Sequence, residues 1–105
     1  MHWEPVAPLR SPRYDAGAIQ VGSLLLSTGG YAAIDRVLSV VEILDMSVGA
    51  WLAPLEMPPD MPHSHHALAT DGVRYAYIAG GQVGPNCSPA SPIAYVLDLA
   101  ARRWT

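Results

Sequence analysis

Residues 24–30 read "LLLSTGG". Adjacent glycines cost backbone entropy and offer no side chain to pack, so an apolar run that ends in a pair of them needs a reason. The stretch "YAYIAGG" (75–81) repeats the pattern, and the first glycines of the two pairs stand 51 residues apart. Downstream, "VEILDMSVGAW" (41–51) lies against "YVLDLAARRW" (95–104): Asp45 and Asp98 are 53 residues apart, as are Trp51 and Trp104. In both copies a Leu-Asp step begins seven residues before the Trp, at Leu44 and Leu97. Upstream, "SPRYDAGAI" (11–19) lies against "MPHSHHALA" (61–69), and Gly22 and Gly72 mark a turn ahead of each glycine-pair strand. Trp3, followed by "PLRSP" as Trp51 is by "PLEMPPDMP", reads as the tail of a preceding copy. A unit of roughly 50 residues is therefore written twice, a length that suits a four-stranded propeller blade.

Over residues 8–105 the chain resembles the kelch repeat family, on an apolar strand closing in Gly-Gly, a later apolar strand ending near Asp, and a Trp beyond it. It departs from the family in both copies, where Leu44 and Leu97 hold a position often filled by Tyr. The stretch "PHSHHALATDGVRYAYIAGGQVGPNCSPAS…YVLDLAARRW" further resembles a plant-type kelch-repeat subgroup, with a His-rich lead-in and a Gly-Pro-x-Cys loop. The resemblance implies an all-β fold: two kelch-type four-stranded blades of a propeller, in which Gly29, Gly30, Asp45, Trp51 and Gly80, Gly81, Asp98, Trp104 are structural motif residues. It also implies that Trp51 and Trp104 pack between neighbouring blades.

The strands follow from the residues themselves. A strand rises about 3.3 Å per residue, so five apolar residues cross a blade, and glycine permits the exit. Blade one reads as strands 16–21, 24–28, 38–44 and 50–53, with a loop at 29–37. Blade two reads as strands 65–70, 74–79, 93–98 and 102–105, with a loop at 80–92. "LSVVEIL" (38–44) is rich in β-branched residues, which favours strand over helix. Asp71-Gly72 is a hairpin signal. Gly49 suits the positive φ of the turn after Asp45, whereas Arg102 at the equivalent place predicts a longer or rearranged turn. In "RYAYIAG", Tyr75 and Tyr77 share one face and Ala76 and Ile78 the other. The domain reading is residues 1–53 as blade one with a preceding tail at 1–7, residues 54–64 as a connector, and residues 65–105 as blade two. The connector holds four prolines and is expected to be irregular.

Composition narrows the function classes. The chain has nine glycines and ten prolines in 105 residues and half of it is hydrophobic, which favours short strands over disorder or long helices. All six basic residues are Arg, the net charge is −3 and no basic run exists, which argues against a nucleic-acid partner. The start, "MHWEPVAPLR", has neither the basic lead nor the apolar core of a signal peptide, and residues 16–34 are too interrupted for a membrane-spanning helix. A single cysteine, Cys87, excludes a disulfide framework and fits a reducing compartment; the compartment stays open, with the cytoplasm favoured because this chain shows no signal peptide or membrane-spanning segment. Two blades alone leave open edges, because propellers close with roughly four to eight. The expectation is a chain that is part of a longer protein, as a truncated reading frame would give, or one that closes with partners.

Candidate chemistry is sparse. His63 and His65 share a face of an extended chain and are weak metal candidates, since a site needs further ligands. In the family's pattern "PHSHHA" is a lead-in with His63 in place of Arg and His66 at the His position, while "PRYDAG" keeps Arg13 and puts Ala16 there. Cys87 reads as a plain loop thiol. No phosphate-binding motif follows the glycines. No cofactor is expected. The loops 30–37 and 81–92 leave equivalent strands and would project from one propeller face, where Tyr31, Arg36, Gln82 and Asn86 are the side chains expected to meet a partner. The resemblance implies a non-catalytic protein-interaction scaffold. The alternative it leaves open is part of a catalytic or sugar-binding propeller, galactose-oxidase-like or sugar-acid epimerase-like, although the copper site of that oxidase is not matched here residue by residue.

Overall fold

Every regular element of the computed structural model, which describes residues 2–86 and 88–105, is a β-strand. β1 (Gly17–Val21), β2 (Leu24–Thr28), β5 (Val40–Asp45) and β6 (Ala50–Trp51) form one antiparallel sheet in that order. β7 (Leu55–Glu56) also pairs with β5, so the outermost strand runs on past a break at Leu52–Pro54. The second sheet holds β8 (Ala67–Thr70), β9 (Tyr75–Ala79), β10 (Ala94–Asp98) and β11 (Arg103–Trp104) in the same sequential order. β3 (Tyr31–Ala33) and β4 (Arg36–Val37) make a small ribbon beside the first sheet.

The two sheets repeat each other in register. Leu26 faces Ile43 as Tyr77 faces Val96, and Leu44 faces Trp51 as Leu97 faces Trp104. Tyr14 and Tyr31 exchange backbone hydrogen bonds ahead of β1 and after β2, and Ser64 and Gln82 exchange the corresponding pair in blade two. Asp15 and His65, one residue further in each copy, share a left-handed φ of 54° and 55°.

Alternation along the strands gives each sheet two faces. From blade one, Val21, Leu26, Val41 and Ile43 turn toward blade two. There they meet Ala76, Ile78 and Leu97, with Met57 and Met61 of the connector closing the same buried core. Tyr77, on blade two's opposite face, stays 42% exposed, as the alternation of "RYAYIAG" requires.

The glycine pairs mark where the blades approach most closely. Gly29 and Gly30 take φ of +57° and +88°, and a Cβ at Gly29 would stand 1.9 Å from the carbonyl oxygen of His63. That oxygen instead accepts a hydrogen bond from Gly30 N–H at 2.6 Å. Gly81 has the φ of Gly30 (+86°), and its Cβ would stand 2.5 Å from Ser64 O. Gly80 keeps a similar φ (+65°) but faces open space. The repeat is the same; what differs is that blade one has a neighbour on that side.

The tryptophans follow the same rule. Trp104 Nε1–H donates to the carbonyl of Glu56 in the connector at 2.9 Å, and Trp51 Nε1–H to that of Ala7 at 2.9 Å. Each indole thus ties its blade to the segment that precedes it.

Three local readings are corrected. The connector 54–64 is not wholly irregular: Leu55–Glu56 adds to a sheet edge, where flanking prolines do no harm because one side of the strand needs no partner. The loop 29–37 contains the β3–β4 ribbon. The turn at Arg102 is not rearranged. Arg102 adopts φ 55°, as Gly49 does at 69°, and Asp98 Oδ1 accepts the Ala101 N–H at 3.1 Å much as Asp45 Oδ1 accepts Ser47 N–H at 3.0 Å. The Asx-type turn and a hydrogen bond from Arg102 Nη2 to the Ala53 carbonyl outweigh the cost of the left-handed backbone.

One buried charge pair anchors blade one. The Arg13 and Glu42 side chains are 2% and 4% exposed and bonded to each other. Arg13 Nη1 also donates to Gly29 O at 2.9 Å, and Glu42 accepts Arg10 N–H at 2.7 Å. In blade two the equivalent positions hold His63 and Tyr95, so the lock is absent. Breaking a buried pair by removing one partner costs about 3–5 kcal/mol, whereas replacing both with apolar residues is often tolerated. Glu42→Gln is expected to lower the unfolding free energy measured in urea by an amount in that range, and Arg13→Leu/Glu42→Leu to recover most of it. A double variant no better than the single one would mean that the guanidinium's backbone bonds, not its charge partner, hold the lead-in.

Candidate functional site

The loops 30–37 and 81–92 leave β2 and β9 on the same side and meet. Asn86 N–H donates to Ile34 C=O at 3.0 Å, and Tyr31 OH reaches Gly84 O at 3.4 Å. Asn86 sits at φ 58°, a conformation Asn tolerates better than most residues. Within the second loop, Val83 N–H donates to Pro89 O at 3.0 Å and Ser91 N–H to Gly81 O at 2.9 Å. The joined tips expose Ile34 (54%), Asp35, Arg36, Pro85 and Asn86. Cys87, expected as a plain thiol in this loop, lies outside the described residues.

Tyr31 is not presented. It is fully buried beneath the tips, stacked on Tyr14 (centroids 5.7 Å apart, 25° between planes) and edge-on to His65 at 6.1 Å. Its backbone bridge to Tyr14 turns the ring inward, and its hydroxyl accepts from Ser64 Oγ at 3.2 Å. Gln82 occupies Tyr31's place in blade two and is half-buried, with its Oε1 enclosed and without a hydrogen-bond partner among the described residues. Of the four side chains expected on this surface, Arg36 and Asn86 are exposed and near each other, Gln82 is partly covered, and Tyr31 is a platform.

The histidines of blade two's lead-in disperse. His63 is buried, with Nε2 3.3 Å from Pro58 O. His65 is exposed, with Nε2 3.5 Å from Asp15 Oδ2 of blade one and Nδ1 3.3 Å from Ser64 Oγ. His66 Nε2 lies 2.7 Å from Thr28 Oγ1 across the seam. Since the three rings point at different partners, His63 and His65 do not converge, and the described residues contain no group of three or more His, Cys, Asp or Glu able to hold a metal. Ser64, His65 and Asp15 form a chain of polar contacts resembling a nucleophile, base and orienter. Ser64, however, is fully buried and its hydroxyl is engaged with Tyr31, so no substrate can reach it.

Sequence reading missed Ile34, the most exposed apolar tip, because a lone Ile between Ala33 and Asp35 carries no periodic signal. It also missed Asp15 as a cross-blade partner, although the repeat itself places Asp15 in the position of His65.

Comparison with known proteins gives two relatives. The chain is 33% identical over 104 residues to a kelch repeat-containing protein of Arabidopsis thaliana, spanning 99% of this chain and 24% of that one. It is 33% identical over 106 residues to kelch-like protein 34 of Homo sapiens, spanning 98% of this chain and 16% of that one. The chain thus spans about a quarter or less of the length of these curated relatives. No protein-family model matches it.

The seam is acid-sensitive. Burial first, then the neighbouring imidazoles of His63 and His65, push the His66 pKa down from 6.5 to about 4. The unfolded chain therefore binds this proton more readily than the folded one. The stabilisation is whole above pH 6.5 and drains away as pH falls toward 4. Asp98, held down to about 2 by its hydrogen bonds from Arg74, titrates below that window. Urea midpoints are expected to fall between pH 6.5 and pH 4, and His66→Gln to flatten that part of the profile. An unchanged slope in the variant would place the pH dependence elsewhere.

Proposed function

Because the chain belongs to the kelch-repeat family, we propose that it is a non-catalytic interaction scaffold that presents the joined tips of loops 30–37 and 81–92 to a protein partner. The observation that carries this reading is the backbone bond between Asn86 and Ile34, which makes one surface out of loops from two blades. A rigid platform lies beneath it: Tyr31 stacked on Tyr14 and bonded to Ser64. Loops held on a scaffold in this way are where binding concentrates, and a pre-ordered surface loses less entropy on association.

The surface is mixed in chemistry. Ile34 and the flanking Pro85 supply apolar contact, while Arg36 and Asn86 supply directional donors. Interfaces draw most of their energy from a few such anchors surrounded by neutral contacts. Arg36 and Ile34 are the anchors in this reading, and Tyr31 supports them without touching the partner.

The test is a photo-crosslinking amino acid placed at position 36 or 86, compared with one at Val48 on the β5–β6 turn. A protein partner is expected to crosslink from the loop positions and not from position 48, and Ile34→Asp/Arg36→Glu is expected to reduce capture by at least tenfold, since losing two anchors removes more than about 1.4 kcal/mol. Equal capture from both positions, or capture indifferent to the double variant, would reject this surface.

A further inference from the structure

Beneath the joined tips, a row of polar groups runs from the exposed edge of the seam into the base of loop 81–92. Asp15 Oδ2 faces His65 Nε2 at 3.5 Å, and His65 Nδ1 lies 3.3 Å from Ser64 Oγ. Ser64 Oγ lies 3.2 Å from Tyr31 OH, which lies 3.4 Å from Gly84 O. The side chains of His65 and Asp15 are 37% and 44% exposed, so solvent protons reach the ring. Ser64 and Tyr31 are fully buried, and buried hydroxyls take their hydrogen-bond partners from the protein.

The number of protons along the row fixes its states. Its two ends, the Gly84 carbonyl and the Asp15 carboxylate, only accept. When Tyr31 gives its one hydroxyl proton to Gly84 O, Ser64 gives its own to Tyr31 OH, and His65 Nδ1–H must donate to Ser64 Oγ. Nε2 then meets the Asp15 carboxylate, and only a second ring proton makes that contact attractive. All four contacts therefore hold together only in the imidazolium, which carries both protons and a charge that Asp15 offsets. A neutral ring has one proton. With it on Nε2, facing Asp15, Nδ1 becomes an acceptor. The Ser64 hydroxyl turns to it, the Tyr31 hydroxyl turns to Ser64, and the Gly84 carbonyl loses this donor. The row reverses direction, and the bond given up is the one to the loop. Among the described residues, the other ionisable groups around His65 point elsewhere: His63 to Pro58 O and His66 to Thr28 Oγ1. Tyr14 stacks on Tyr31, and the Arg13–Glu42 pair is closed on itself.

We propose that the proton on His65 sets how firmly loop 81–92 is held: the imidazolium locks Gly84 to Tyr31, and the neutral ring releases it. Gly84 stands two residues before Asn86, whose N–H bonds Ile34 O. Losing the Gly84 anchor loosens the joint that makes one surface of two loops. A Cβ on Gly84 would stand 2.4 Å from Ser88 O, so the anchored point is packed against the returning chain of its own loop and carries it along. Histidine is the side chain whose charge changes between about pH 5 and pH 8, so the tips are held on the acidic side of that range and loosened on the alkaline side. That partner binding follows the same course rests on the loop-tip reading above; the relay from His65 to Gly84 does not.

Solution NMR of the 105-residue chain from about pH 8 to about pH 5.5 reads both ends of the row. The His65 ring carbons report its proton, and the Gly84 carbonyl carbon and the Asn86 amide report the loop. His66, whose pKa is pushed down to about 4, keeps its neutral form through this range. The Gly84 and Asn86 signals are expected to titrate with the His65 midpoint. Tyr31→Phe is expected to leave the His65 titration in place and silence it at Gly84. His65→Asn, at an exposed position whose left-handed backbone Asn accepts, is expected to keep the fold and flatten both loop signals. Loop signals that ignore the His65 titration, that persist in a folded Tyr31→Phe, or that still follow pH in His65→Asn overturn the proposal. No partner enters this measurement, so a failed relay and a failed loop-tip surface give different results. With a partner present, crosslinking from position 36 is expected to be about fivefold stronger at the acidic end than at the alkaline end, and equal at both in His65→Asn. Equal capture at both ends by the wild-type chain overturns control of that surface, whereas capture at neither rejects the surface and leaves the relay to the NMR result.

Discussion

The carbonyl oxygen of His63 occupies the volume that any side chain at position 29 would need. Much of the architecture depends on that exclusion. Two sheets of a propeller must come close at one corner, and a backbone hydrogen bond is the closest contact a protein can make without side chains. Gly29 clears the space and Gly30 supplies the donor. Around this point the other cross-blade contacts assemble: Thr28 with His66, Asp15 with His65, and Ser64 with Tyr31. Farther out, the apolar faces meet in one buried core. The cost of two glycines is offset by the surface they allow to be buried.

The same corner sets the stage for the loops. Tyr31 follows Gly30 directly, so the geometry that brings the blades together also drives the tyrosine ring inward against Tyr14. The ribbon β3–β4 then starts from a fixed base, and Ile34 and Arg36 stand at its tip. Loop 81–92 is brought to the ribbon because its own glycine pair leaves β9 at the same height and in the same direction. A surface shared between two repeats follows from the repetition itself and needs no separate device.

The strands were legible in the sequence because they follow from spacing, and the two faces of β9 because Ala76 and Ile78 fall where the period of two puts them. Blade one's seam face was not, since "LLLST" and "VVEIL" are apolar on both sides and alternation does not separate Leu26 from Leu25 or Ile43 from Leu44. The turn at Arg102 was misjudged because residue preference for a backbone region is a weaker signal than the hydrogen bonds of the turn, and Asp98 supplies those in both possible readings. The strand at Leu55–Glu56 was hidden by neighbouring prolines, which exclude a central strand and permit an edge. Tyr31 was misplaced because an aromatic in a loop can face outward as an anchor or inward as a platform, and only its partner across the bridge, Tyr14, decides between them. Arg36 and Asn86 needed no such partner. Ile34 gave no pattern at all, since a single exposed apolar residue has no periodicity to reveal it.

The charge lock of Arg13 and Glu42 gives the molecule a polarity along its axis. Blade one is covered on one side by its neighbour, on the other partly by residues 6–9, and its lead-in is held by a guanidinium bonded to the end of β2. Blade two lacks this lock: His63 and Tyr95 stand at the equivalent positions. In repeat architectures local stability is close to a sum of each unit's own terms and its neighbour contacts. Two units of nearly identical outline thus hold their lead-ins by different means, and the difference traces to two exchanges, Arg13 for His63 and Glu42 for Tyr95.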